Sequence, residues 1–126
     1  MDVQRGIQII ITTGPEDAGR ATIGFAAAVA ACACGITVAV FLVLDGTRWA
    51  LQSEGSSACT AGFEPISKLV EGILAAGGRI EVCPVCLNGA CGTAPFGEGP
   101  SMLRPGVTFG GLAGVALLPT FLLAWR

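Results

Sequence analysis

Two long stretches without a charged residue, 21–44 and 105–125, constrain what this chain can fold into more than any other feature. Charged residues make up 13% of the 126-residue chain, against about a quarter in an ordinary soluble domain, and 52% of the residues are hydrophobic. This much apolar side chain excludes intrinsic disorder. The two stretches must therefore either cross a membrane or lie in the interior of a folded domain.

The composition within the stretches favours a folded interior. Residues 24–34 are rich in alanine, Gly35 follows, and residues 36–44 are rich in β-branched and aromatic side chains. Alanine favours helix, glycine commonly follows a helix end, and a continuous β-branched run is typical of a strand buried on both faces. The second stretch is interrupted by four glycines and by Pro119. We therefore expect one soluble domain over residues 1–126 and no membrane span.

Charge and the first residues exclude two further classes of protein. The net charge is −2 and the seven basic residues are scattered, which does not fit a nucleic-acid-binding surface. The apolar run that follows the first five residues is too short for an export signal, so we expect the protein in the cytoplasm. The six cysteines then do not indicate a disulfide framework.

Apolar runs alternate with helical patterns along the chain, which is typical of parallel crossover units. We predict an α/β fold, a three-layer α/β/α sandwich around a mostly parallel five-stranded sheet, with flavodoxin-like architecture. The predicted strands cover residues 7–12, 36–44, 80–83, 107–109 and 120–125. The predicted helices cover residues 17–34, 65–76 and 111–117, whereas residues 47–63 show too weak a pattern to assign.

The concentrated chemical signal is Cys83-Pro84-Val85-Cys86. Histidine is absent, which excludes Ser-His-Asp and Cys-His catalysis and removes the commonest zinc ligand. Cys83 falls at the carboxyl end of a predicted parallel strand, the edge at which open α/β sheets bind ligands. A helix that begins near Pro84 would favour the thiolate form of either cysteine, so Cys83 and Cys86 are candidates for persulfide or disulfide chemistry.

Three other interpretations of the cysteines stay open. A metal site could use Cys83, Cys86 and Cys91 with Cys59 as a fourth ligand, although the spacing matches neither a zinc ribbon nor an ordinary ferredoxin. A thioredoxin-like dithiol is a second possibility. The third is that the thiols are small buried apolar groups, which is the interpretation we favour for Cys32 and Cys34.

Three features near the predicted sheet edge carry weaker signals. Residues 12–14 faintly resemble a flavodoxin phosphate loop, but nothing aromatic is placed to cover a flavin, so we expect a plain turn and no cofactor. Arg20 could hold an anion, but its spacing favours an ion pair with Glu16. Asp45 precedes Gly46 and is better explained as a turn residue than as a site carboxylate.

Taken together, residues 9–21, 35–42, 80–83 and 104–107 resemble the DsrE-like sulfur-relay proteins, the DsrE/DsrF and TusD-type family. The resemblance covers nearly the whole chain through a succession of loose motifs. It implies a relay protein rather than a turnover enzyme, with a persulfide on Cys83. Cys86 has no counterpart in the best-studied carriers of the family, and our own hypothesis is that it resolves the persulfide as a disulfide. The resemblance also implies sulfur donor and acceptor proteins as partners and a homo-oligomer, a trimer or hexamer. An oligomer agrees with the few charges in residues 105–125, where a monomer would meet water.

Overall fold

The computed structural model describes residues 6–90, 103–110 and 121–125. Its strands form one five-stranded sheet in the order β4-β3-β2-β1-β5, and every neighbouring pair is parallel. The predicted α/β fold with a parallel sheet is therefore confirmed. The strands are β1 (Gly6–Ile11), β2 (Thr37–Leu42), β3 (Arg79–Val82), β4 (Thr108–Phe109) and β5 (Phe121–Trp125). The helix predicted over residues 111–117 lies outside the described residues.

The first uncharged stretch is a helix followed by a strand, as predicted. Helix α1 (Ala18–Ala33) begins where the Asp17 side chain accepts the Arg20 backbone N–H at 3.2 Å. It ends before Gly35, whose φ of +76° is a left-handed conformation that favours glycine. The helix face toward the sheet is built from small residues around one large one, Phe25, so helix and strands pack closely. No helix within the described ranges is long and apolar enough to cross a bilayer.

Helix α2 (Ile66–Ala75) packs against α1 and shows the predicted amphipathic pattern. Its buried residues are Ile66, Leu69, Val70 and Ile73. Lys68 and Glu71 lie on the exposed side, 3.5 Å apart. Pro65 is the residue that caps the helix rather than its first helical residue, a shift of one position from the prediction.

A 3₁₀ helix, Leu44–Ala50, occupies the segment where the sequence predicted only a turn followed by an unassigned region. Trp49 is fully buried in it, and its indole N–H donates to the Thr13 carbonyl at 2.7 Å. Asp45 is exposed in the first turn of this helix, where the Gly46 N–H donates to the Val43 carbonyl at 2.9 Å, so Asp45 lies in a turn as predicted, and the turn continues into a helix. A short third helix, α3 (Pro84–Ala90), packs against the 3₁₀ helix.

Arg104 ties the chain segment before β4 to this 3₁₀ helix. Its side chain is buried, its Nε donates to the Trp49 carbonyl at 2.9 Å, and a second guanidinium nitrogen donates to the Glu54 carbonyl. Its backbone N–H donates to the Ala50 carbonyl at 2.8 Å. Burial lowers the pKa of the guanidinium, and the nearby Glu71 and Glu54 oppose that shift. Arg104 is therefore a structural clamp.

Candidate functional site

The carboxyl ends of four neighbouring strands lie side by side and in register. The paired residues that form this row are Ile11, Leu42, Val82 and Phe109. Because the strands are parallel, the next residue of each strand lies just beyond the same edge, and for β3 that residue is Cys83. The predicted position of Cys83 at the carboxyl edge of the sheet is confirmed.

The backbone of Cys83 is fixed from both sides. Its N–H continues the sheet ladder by donating to the Leu42 carbonyl at 3.0 Å. Its own carbonyl accepts the Leu87 N–H at 3.0 Å, which closes the first turn of α3. The residue is only 6% exposed. The thiol therefore lies beneath the junction of strand and helix, with little direct access from solvent.

Cys86 lies in the first turn of α3, and its thiol lies close to the Cys83 thiol. It is half-buried and thus more accessible than Cys83. Burial raises the pKa of the Cys86 thiol, a hydrogen bond from the Leu44 backbone N–H opposes the shift, and the contact with Cys83 adds to it. The expected preference for thiolate at the helix start is therefore wrong for Cys86, because the cost of removing the charge from water is larger.

Leu44 reaches Cys86 through an unusual backbone conformation. Its φ of 52° lies in the left-handed region, which leucine rarely adopts. The Thr47 hydroxyl holds it by donating to the Leu44 carbonyl at 2.8 Å. The Gly46 N–H bonds to both the Val43 carbonyl, at 2.9 Å, and the Thr12 carbonyl, at 3.2 Å. A strained backbone conformation persists only where the surrounding structure fixes it. Here the strained conformation places the Leu44 N–H beside the Cys86 sulfur.

Three exposed apolar residues lie at the same edge of the sheet as the cysteine pair. Leu44 is 59% exposed, Val85 78% and Phe109 50%. Phe109 reaches this edge because it pairs with Val82, and the neighbouring Gly110 N–H donates to the Val82 carbonyl at 3.1 Å. The sequence predicted Leu44 inside a buried strand, so its exposure is a correction. The signal that was available is the Asp45-Gly46 pair after it, which ends a strand early.

The predicted metal ligands do not assemble in the part of the chain that the structure describes. Cys59 is exposed in the loop before α2, and Cys91 lies outside the described residues. Within residues 6–90, 103–110 and 121–125, no three histidine, cysteine or acidic side chains form a group that could hold a metal ion. The structure brings together two of the four candidate ligands, Cys83 and Cys86.

The cysteines at the end of α1 differ from each other. Cys32 is half-buried, and burial raises the pKa of its thiol. Cys34 is exposed, so the prediction that both are buried apolar groups was wrong for Cys34. It follows α1 as the capping residue and thus lies beyond the part of the helix that packs on the sheet.

The loop after β1 uses its polar groups internally. The Gly14 N–H, which a phosphate would need, donates to the Glu16 carboxylate at 2.8 Å. Arg20 therefore pairs with Asp17, at 3.5 Å, and not with Glu16 as the spacing predicted. Both charged groups of the pair are largely solvated, so this pair contributes little to stability. The loop fits the interpretation of a plain turn.

Comparison with known proteins gives matches over most of the chain. The family model described as DsrE/DsrF-like matches residues 6–114. The crystal structure of the YchN protein from E. coli superposes with a TM-score of 0.76 at 17% identity, covering 97% of this chain and 99% of that one. The protein of unknown function MTH1491 from Methanobacterium thermoautotrophicum gives 0.68 at 13% identity, covering 95% and 99%. At such identities these structures support the fold alone. No curated protein sequence matches this chain significantly.

Proposed function

The chain belongs to the DsrE/DsrF-like family, and from that premise we propose that it carries sulfane sulfur as a persulfide on the pair Cys83 and Cys86. The observation that supports the proposal most is the contact between the two thiols at the carboxyl edge of the sheet. Persulfide chemistry needs a sulfur that can attack a donor and a site that holds the product. Cys83 and Cys86 supply two sulfurs that can attack a donor, and the backbone N–H of Leu44 lies beside Cys86, where it can stabilise the product.

The transfer is a displacement at sulfur. A thiolate of the pair attacks the outer sulfur of a donor persulfide, a new S–S bond forms, and the donor's S–S bond breaks. The donor leaves as a thiolate and takes the electron pair of the broken bond. A thiol of the acceptor then repeats the same step on the outer sulfur and restores the free cysteine. No cofactor takes part, and the protein acts as a relay rather than as a turnover enzyme.

Partner proteins follow from this chemistry. We propose one sulfur donor and one acceptor protein, both of which must approach the edge that carries Leu44, Val85 and Phe109, because the pair lies there. We also propose a cytoplasmic homo-oligomer, a trimer or hexamer, which rests on the family resemblance and on the charge-poor residues 105–125.

One alternative is supported by the structure itself. Cys83 is nearly inaccessible and the pKa of Cys86 is raised, as in buried structural thiols. An oligomeric protein with incidental thiols would show both features. Alkylation of the native protein with iodoacetamide distinguishes the carrier from this alternative. If the thiols are incidental, Cys83 and Cys86 both stay unmodified, whereas a carrier must expose at least one of these two.

The test of the proposed function is the mass of the protein after incubation with glutathione persulfide. When the reaction is quenched at early times, wild type should gain about 32 Da, one sulfur atom per chain. The double variant Cys83→Ser/Cys86→Ser should gain nothing. The matched control, Cys34→Ser/Cys59→Ser, also loses two cysteines, both exposed, and should gain the same mass as wild type. An unmodified wild type, or equal gains in the two double variants, would contradict the proposal.

A further inference from the structure

We infer that Cys86, and not Cys83, is the thiol that first receives sulfur, and that Cys83 is the thiol that displaces it again. This rests on the proposed sulfur-carrier function and gives the two cysteines separate roles. It departs from the family resemblance, which places the persulfide on the cysteine directly after the third strand.

Access is the first argument. A sulfur-transfer step needs the attacking sulfur in line with the donor's S–S bond, so the receiving thiol must reach the protein surface. Cys83 is only 6% exposed and lies between the ends of β2 and β4, which flank β3 on either side. Cys86 is half-buried one helical turn further along, next to the 78%-exposed Val85. A donor persulfide therefore meets Cys86 before it can meet Cys83.

The position of Leu44 is the second argument. The Leu44 N–H lies beside the Cys86 sulfur, and the left-handed Leu44 backbone is held in place by the Thr47 hydroxyl. A persulfide is a stronger acid than its thiol and is mostly anionic at neutral pH. A backbone N–H fixed beside it stabilises that anion without any rearrangement at the moment of transfer. The strained loop thus has a role at Cys86.

The contact between the thiols gives Cys83 its role. Once Cys86 holds the extra sulfur, the Cys83 thiolate can attack the Cys86 Sγ, form the Cys83–Cys86 disulfide and expel hydrosulfide. The two thiols are oxidised by two electrons, and the sulfane sulfur takes up those electrons, so no external oxidant is needed. A dithiol reductant then restores the pair. Cys83 therefore competes with the acceptor protein for the bound sulfur.

The experiment follows loading over time in wild type and in single variants. Each reduced protein is mixed with glutathione persulfide, quenched by alkylation and analysed by mass spectrometry. Cys83→Ser should load at a rate within about twofold of wild type and keep its extra sulfur, because the displacing thiol is gone. Cys86→Ser should load at least about tenfold more slowly. Wild type should gain sulfur first and then form an internal disulfide while releasing hydrosulfide.

The position of the sulfur is read from peptides. Trypsin cleaves after Arg79 but not between Arg104 and Pro105, so residues 80–126 form one peptide with Cys83, Cys86 and Cys91, and fragment ions must assign the sulfur within it. In wild type quenched at the earliest time, the sulfur should be on Cys86. This measurement needs no substitution and so does not depend on whether a variant folds. Cys83→Ala is tested beside Cys83→Ser, so that the result does not depend on the folding of a single variant.

The outcomes separate the two proposals. Normal loading of Cys86→Ser with no loading of Cys83→Ser assigns the sulfur to Cys83 and overturns the inference, while the carrier function stands. Equal loading of both single variants also overturns it, because neither thiol is then the entry point. Wild type that gains no sulfur overturns the proposed function and the inference together.

Discussion

Replacing Gly46 by alanine tests whether the 3₁₀ helix Leu44–Ala50, which begins beside Cys86, packs against the end of β1 as the structure shows. A Cβ at this position would lie 2.2 Å from the Ile11 carbonyl oxygen and 2.8 Å from its carbon. Both are backbone atoms of β1, which is paired with a strand on either side, so neither can move aside. To bring the added Cβ to ordinary van der Waals distance, the segment that carries residue 46 must shift by about 1 Å. Overpacking of this kind lowers the free energy of unfolding by about 3 kcal/mol.

Gly35→Ala is the matched control. Gly35 has a left-handed φ of +76°, but a Cβ there meets nothing within 4 Å. Its replacement costs only the conformational strain, about 1 kcal/mol. For a chain of this length we expect melting temperatures about 12 °C lower for Gly46→Ala and about 4 °C lower for Gly35→Ala.

Thermal unfolding followed by circular dichroism, at one fixed protein concentration, measures both variants. A Gly46→Ala protein that melts within about 2 °C of wild type would show that the close approach of residue 46 to Ile11 does not exist. A second measurement connects stability with function. At a temperature where Gly46→Ala is still folded, its loading with glutathione persulfide should be slower than that of Gly35→Ala, because the displaced segment no longer holds Leu44 beside Cys86.

Four further predictions concern the site, a buried clamp and the assembly. Thr47→Val removes the hydroxyl that holds the Leu44 carbonyl; it should destabilise the fold by about 1 kcal/mol in urea titrations and shorten the lifetime of a persulfide on Cys86, and an unchanged lifetime would contradict the positioning role. Because the pKa of the Cys86 thiol is raised, its thiolate fraction and its alkylation rate by iodoacetamide should still be rising at pH 9; a plateau at neutral pH would contradict the raised pKa. Arg104→Met leaves two carbonyls without their donor and should cost about 2–4 kcal/mol by urea titration, whereas a wild-type midpoint would show that the clamp contributes nothing. Light scattering should give the mass of a trimer or hexamer, and a monomer would leave the exposed apolar residues unexplained.

The sheet could be predicted from the sequence because its signals are local. Strands β1 and β2 are nearly unbroken apolar runs, and the helix between them is marked by alanines and by Gly35 at its end. Placing Cys83 at the carboxyl edge needed only the end of the third strand and the rule that parallel strands end on one side. These inferences rest on periodicity and turn residues, which a sequence displays directly.

The surroundings of the pair could not be predicted, because they depend on contacts distant in sequence. The left-handed Leu44 is fixed by Thr47 and by the end of β1, and no property of leucine indicates that conformation. The buried position of Trp49 depends on the Thr13 carbonyl, 36 residues earlier. The error over Arg20, in the loop after β1, has a local cause: the Gly14 N–H engages the Glu16 carboxylate, and Arg20 pairs with Asp17 instead.

The central claim, that sulfane sulfur is carried on the cysteine pair, is tested most directly by site-resolved mass spectrometry of wild-type protein loaded with glutathione persulfide. One tryptic digest separates Cys32 and Cys34, Cys59, and the segment that contains Cys83 and Cys86 into three different peptides. At the earliest quenched time we predict one additional sulfur, about 32 Da, confined to Cys83 and Cys86. Sulfur spread over the exposed Cys34 and Cys59 as well, or absent from the pair, would contradict the account.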